Sequence, residues 1–232
     1  MYMSTDFSDL SILQLSDSFF PSGTYTMSNG LEMFYLKKSL QGADDVKSLV
    51  QIFLEQQVGP ADCVAASNAY DCAQAKDMAG VITIDETIFR MRLVREIREA
   101  SIRSGRQLVK SVLSFNKDSF LVQYHDKITQ LNAHGTYPVA FSVASNVLGI
   151  SKRSCCLGMC YGFTVSMVGA ALRLGIIQHM EGQKIINSLK PTISKTVSDY
   201  IGKNYHQIWQ FTPQADLYQM QHEKIDAKMF VT

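Results

Sequence analysis

The sequence predicts an all-α fold, a single compact helical domain of about ten helices. Apolar residues recur at spacings of three and four along most of the 232-residue chain. There is no alternation of strand and helix patterns and no internal repeat. Pro60, Pro138, Pro191 and Pro213 each fall where a helix can begin, since proline suits a first turn.

The first two helices, at about 8–19 and 25–40, meet at a corner, Phe19-Phe20-Pro21-Ser22-Gly23. Leu10, Leu13 and Phe19 are expected to point inward. Pro21 and Gly23 make the turn, and Ser22 or Thr24 caps the next helix. Met27, Gly30, Leu31 and Phe34 then form a packed face with Glu32 at its edge. Helices follow at about 44–58 and 60–77, and Gly80–Ile84 (GVITI) reads as an isolated β-like run.

Val94, Ile97, Ser101, Ser104, Leu108, Val112 and Phe115 mark one face of a long helix. On its polar side Glu99 stands four residues before Arg103, the favourable order for an ion pair. Later helices are expected at about 118–131, 137–149, 152–175, 179–203 and 213–222, with Pro191 kinking or breaking the penultimate one. Residues 1–221 make the helical domain, and 222–232 a C-terminal tail that orders on a partner, with Met229, Phe230 and Val231 to dock by.

Net charge is +1, which argues against non-specific nucleic-acid binding. Five cysteines and no signal-peptide pattern point to a reducing cytoplasm. Ser154–Leu172 has no charge over 19 residues, long enough to span a bilayer. Its Gly, Ser, Cys and Ala content fits better with a central helix buried on all sides. Gly30, Gly105, Gly158, Gly162 and Gly169 suggest close backbone approach, because glycine inside a helix costs about 1 kcal/mol against alanine.

The chain contains neither G-x-x-x-x-G-K-[ST] nor G-x-S-x-G. His222-Glu223 with Asp226 departs from H-E-x-x-H, and a polar interface or cap cluster is the plainer reading. Cys156 and Cys160 share a helical face with Cys155 nearby; they suit a soft metal, but more ordinarily pack as small inert residues. Arg90–Lys110 holds seven basic and two acidic residues, either a solvated face or a face for an acidic protein partner.

Several segments, in order, carry a resemblance. They are LQLSDSFFPSGTYTMSNGLE (13–32), REASIRSGRQLV (98–109), YPVAFSVASNVLGI (137–150), GAALRLGIIQHMEGQKII (169–186) and FTPQADLYQMQHEKIDAKMFVT (211–232). The chain resembles the UreF family of urease accessory proteins over almost its whole length. It departs at Ser142, where glycine is usual, at Ile176–His179, where Pro-Leu-Gly-Gln is usual, and in its cysteine cluster. The resemblance implies an all-α homodimer without catalytic activity and without a tightly bound cofactor. Such a protein bridges UreD (UreH) and the GTPase UreG, and the complex handles nickel on its way to apo-urease. Glu32, Arg103, Gly105, Arg173, His222 and Glu223 are the expected dimer or partner contacts.

Two other readings compete. One is a cytoplasmic helical hydrolase or thiol enzyme pairing Cys or Ser with His125, His134, His179 or His206. The other is a membrane-associated helical protein built around Ser154–Leu172.

Overall fold

The computed structural model describes residues 5–17, 19–24, 27–225, 228–230 and 232. All regular structure among them is helical: α1 Thr5–Ser16, α2 Leu31–Leu36, α3 Ala43–Phe53, α4 Val64–Gln74, α5 Met78–Met91, α6 Arg95–Leu113, α7 Ser119–Thr129, α8 Tyr137–Val147, α9 Lys152–Arg173, α10 His179–Tyr200 and α11 Pro213–His222. A π-helical segment, Leu54–Cys63, joins α3 and α4 into one rod, so the described residues hold ten α-helical units and one 3-10 turn, Tyr205–Gln207.

Local chemistry sets most helix ends. The Asp77 carboxylate accepts the Gly80 N–H at 2.9 Å and starts α5. Asp118 accepts the N–H groups of Phe120 (2.8 Å) and Leu121 (3.3 Å) and starts α7. Ser151 accepts from Ser154 N–H at the head of α9. Gln178 and Glu181 form a capping box on α10, and Pro138 and Pro213 occupy first turns.

The GVITI run is not a strand. Val81, Ile84 and Ile88 recur at helical spacing and are buried, so packing of that stripe against α4 overrides the β preference of its branched residues. Pro60 does not begin a helix but sits inside the π segment. A proline there has no N–H to give the rod's own carbonyls. The chain before α11 adds donors to this stretch: Phe211 N–H reaches Gln56 O at 2.9 Å and Trp209 N–H reaches Pro60 O at 3.3 Å. Nor does Pro191 break its helix, since α10 runs through it from His179 to Tyr200.

The helix buried all round is α8, not α9. Pro138 to Ser145 are buried without exception, wedged between α4 and α6. In α9 just 56% of the most apolar window is buried, although the helix is long and apolar enough to cross a membrane by length and composition. It packs on α10, α8 and α1, and a Cβ at Gly158 would strike Ile12 and Ser16 of α1. Gly162 and Gly169, by contrast, face open space.

The opening corner also differs from expectation. Ile12, Leu15 and Phe20 turn inward, while Leu10, Leu13 and Phe19 are exposed, Phe19 at 92%. The next helix starts only at Leu31, after Gly30 in the left-handed region (φ 86°). The Ser22 and Thr24 hydroxyls meet each other at 3.1 Å, and among the described residues neither caps α2, which starts after Gly30 without a side-chain cap. Residues 25 and 26 of the expected helix, and Val231 of the tail, lie outside the described residues. In α6 the predicted face is buried at Val94, Ile97, Ser104, Leu108 and Val112; Phe115 lies past the helix end and is half exposed.

Candidate functional site

A cluster of charged side chains, Glu32, Glu96, His222 and Lys228, fastens the tail to the body. Its base is the contact of α2 with α11. Gln219 of α11 donates to Asn29 O at 2.9 Å and fills the space beside Gly30, where a Cβ would lie 2.7 Å from Gln219 Cγ. That approach carries His222, the last residue of α11, onto Glu32 in the first turn of α2.

His222 is fully buried, and both ring nitrogens meet carboxylates. Nε2 lies 2.9 Å from Glu32 Oε2 and Nδ1 lies 2.7 Å from Glu96 Oε2. Ionised carboxylates only accept, so each ring nitrogen that carries a proton has an acceptor in place. Lys228 adds a cation on Glu96 Oε1 at 2.9 Å. Buried carboxylates are tolerated where hydrogen bonds and a cation meet them in this way.

Glu32 spends its remaining capacity on the tail backbone. Oε1 accepts Met229 N–H at 2.9 Å and Oε2 accepts Phe230 N–H at 3.2 Å. The Phe230 ring is buried, with the Arg173 guanidinium 4.4 Å over its centroid, and Arg173 Nε donates to Gly169 O at 3.1 Å. Thr232 O accepts from the Ser28 hydroxyl and from Ser28 N–H. Glu223 sits at the N-terminus of α6, accepting Glu96 N–H at 3.1 Å and pairing with Arg95 at 3.2 Å. A carboxylate there meets unpaired backbone donors and the positive end of the helix dipole.

Four of the six residues singled out in the sequence, Glu32, Arg173, His222 and Glu223, thus converge on one clamp. Gly105 lies elsewhere, buried beneath the 134–136 loop, where a Cβ would overlap the Gly135 carbonyl and come within 2.9 Å of Tyr137 N. Arg103 is exposed on α6 and lines a separate cleft. The pair expected between Glu99 and Arg103 does not form among the described residues: the cations that do pair from this region are Arg90, Arg92 and Arg95.

Two clamp residues, Glu96 and Lys228, escaped the sequence reading; nothing local distinguishes them from solvated helix and tail charges. So did Asp85. Its buried carboxylate accepts His134 N–H (2.7 Å), Gly135 N–H (2.8 Å), Thr136 N–H (2.9 Å) and the Thr136 hydroxyl (2.6 Å). The loop it holds seats the His134 ring on Phe89, 3.6 Å between centroids, with Nε2 at Glu86.

Among the described residues no three His, Cys, Asp or Glu side chains are arranged to hold a metal; Asp226 lies outside them. The thiols of Cys63, Cys155, Cys156 and Cys160 are buried together in the core. Burial, then contact with Cys156, holds the Cys155 thiol well above its usual range. In Cys63, contact with Cys156 lowers the thiol, but contact with Cys160 and burial outweigh it, and the net shift is upward. Such thiols are packing groups rather than nucleophiles.

The clamp spends its charged groups on the chain's own backbone and side chains, the arrangement of a helical protein built to hold its own segments in place. The UreF family model matches residues 40–190. Urease accessory protein UreF of Trichodesmium erythraeum (strain IMS101) is 34% identical over 221 residues, 95% of each chain. UreF of Bacillus sp. (strain TB-90) is 22% identical over 96% of this chain and 98% of its own, and UreF 1 of Brucella melitensis 27% over 96% and 92%. The chain belongs to the UreF family of urease accessory proteins.

Proposed function

We propose that this protein is a non-catalytic scaffold of urease maturation in the cytoplasm. It bridges UreD (UreH) and the GTPase UreG homologues, acts as a homodimer, and promotes GTP-dependent nickel delivery to apo-urease. The observation that carries this reading is the clamp. Glu32 and His222 fix the tail beside α2 and α11, a corner that exposes Tyr35, Leu36, Leu217, Met220 and Met229. Large apolar side chains gathered on one exposed corner mark a protein-binding face. Fixing the tail in advance lowers the ordering cost of binding there. Arg173 and Glu223 act through the tail and the α6 terminus, and nickel is cargo of the assembly.

Copurification with UreD and UreG homologues tests the reading, using the full chain and a chain ending at Gln221. The full chain is expected to capture both, and the shortened chain to lose at least one. Failure of the full chain to bind either partner would sink it.

A further inference from the structure

A second surface stands apart from the clamp. Between α6, α7 and the loop at Ser22-Gly23 lies an open cleft of about 650 Å³. Arg103, Arg106, Lys110 and His125 line it, with the hydroxyls of Ser22, Ser104 and Thr129 between them, and among the described residues no carboxylate belongs to its wall. Asp126, outside the wall, approaches His125 Nδ1 at 3.9 Å. Arg106 is anchored through Nε to His134 O at 2.8 Å. Elsewhere on this stretch the cations are engaged: Arg90 with Glu86, Arg92 with Asp62, Arg95 with Glu223, and Arg98 with Arg92 O. Arg103 and Lys110 are exposed and make no ion pair among the described residues.

The rim supplies an independent observation. Leu131 follows the C-cap of α7 with φ 61°, and its side chain is 80% exposed. Helices that end this way ordinarily place glycine there, because a branched apolar side chain is strained in the left-handed region. Here the turn is closed by Leu131 N–H on Ile128 O (3.1 Å) and Asn132 N–H on Lys127 O (2.9 Å). The fold accepts strain to hold a leucine out over a cationic cleft, and strain of that kind points toward a binding role. A free inorganic anion has no use for the leucine.

We propose that this cleft docks an acidic segment of a partner protein, one that sets carboxylates on Arg103 and Lys110 and an apolar side chain on Leu131. The site rests on the scaffold reading and adds a second contact, one that uses none of the clamp's charged groups. Attraction between complementary charges would set its on-rate and its sensitivity to salt.

The test uses three labelled peptides, alternating Glu/Leu, Lys/Leu and Glu/Ser, read by fluorescence anisotropy with the full chain at low and high salt. The Glu/Leu peptide is expected to bind, more weakly as salt rises, and Lys/Leu to fail. Arg103→Glu should weaken Glu/Leu binding about tenfold or more, the scale of a lost charge contact. Leu131→Gly should weaken Glu/Leu binding and leave Glu/Ser binding unchanged, while its melting temperature holds or rises as the strain is relieved. Equal binding of the Glu/Leu and Lys/Leu peptides would overturn the proposal. So would wild-type affinity in both variants, or full displacement of Glu/Leu by inorganic phosphate with Leu131→Gly indifferent. Copurification separates the two readings. Arg103→Glu that captures the proposed partners as well as wild type overturns the cleft and spares the scaffold. Wild type that binds Glu/Leu selectively yet captures no partner supports the cleft and removes the scaffold.

Discussion

Glu32 and His222, 190 residues apart in sequence, meet at 2.9 Å in the closed interior of the protein. The contact joins the second helix to the last and sets the path of the tail. Removing the partner of a buried carboxylate strands it, at about 3–5 kcal/mol. His222→Ala is therefore expected to lower stability by about 3 kcal/mol and to speed amide exchange at Met229 and Phe230. Denaturant melts and hydrogen exchange read the two effects; protected tail amides in the variant would contradict the assignment.

Gly105 lets α6 lie directly on the loop that carries Gly135. Gly105→Ala places a methyl against backbone, which cannot rotate away. The expected loss is about 3 kcal/mol, toward the upper end for overpacking, or roughly 6–12 °C in melting temperature for a chain of this size. Gly162→Ala, on a helix face with open space beside it, is the control and should leave the monomer fold intact.

Asp85 gathers three loop N–H groups and one hydroxyl. Asp85→Ala leaves buried donors without an acceptor, at about 1–3 kcal/mol each when fully desolvated. A loss of several kcal/mol is expected, with Asp85→Asn intermediate because its oxygen still accepts. Equal melting of wild type and Asp85→Ala would rule out this role.

The core thiols should be silent. With Cys63, Cys155 and Cys156 held above the ordinary thiol range, little thiolate exists at neutral pH, and burial blocks access. Only Cys72 is partly exposed, and burial raises it too. Titration with a disulfide reagent should show at most one slow thiol in the native protein and five after denaturation. Fast native reaction of two or more would contradict the packing role.

Asp216, in the first turn of α11, is raised above its ordinary value by burial, with the Thr212 hydroxyl partly opposing the shift. A carboxyl raised in the folded state binds more protons there than in the unfolded chain. Its contribution is therefore lost as pH climbs from the unfolded pKa through the folded one. Asp216→Asn lacks that loss, so its stability relative to wild type should improve from acid toward neutral pH. Urea melts at several pH values check the sign.

The sequence shows most helices plainly because burial in this fold follows the helical period, as in Val94, Ile97, Ser104, Leu108 and Val112. Gly105 was readable as a point of close approach for the same reason. The misread elements are those where tertiary packing reverses a local preference: the branched residues of α5, the proline inside the α3–α4 rod, and Leu10 and Leu13 facing outward. The clamp was half legible. Glu32 and His222 stood out singly, but their pairing depends on two ends of the chain meeting, and no local pattern encodes that. Asp85 leaves no local signal, because the loop it holds lies 49 to 51 residues further along the chain.

The seat of Trp209 on the α3–α4 rod gives the protein a built-in optical reporter. Trp209, the one tryptophan in the sequence, is half exposed and hangs by its backbone from the Pro60 carbonyl. Indole emission follows the wetness of the ring's surroundings, so unseating this segment would shift its colour. The same segment leads into α11, which carries His222. Unlabelled fluorescence therefore reads whether the closing stretch of the chain is seated on the body, with no added dye and no change of sequence.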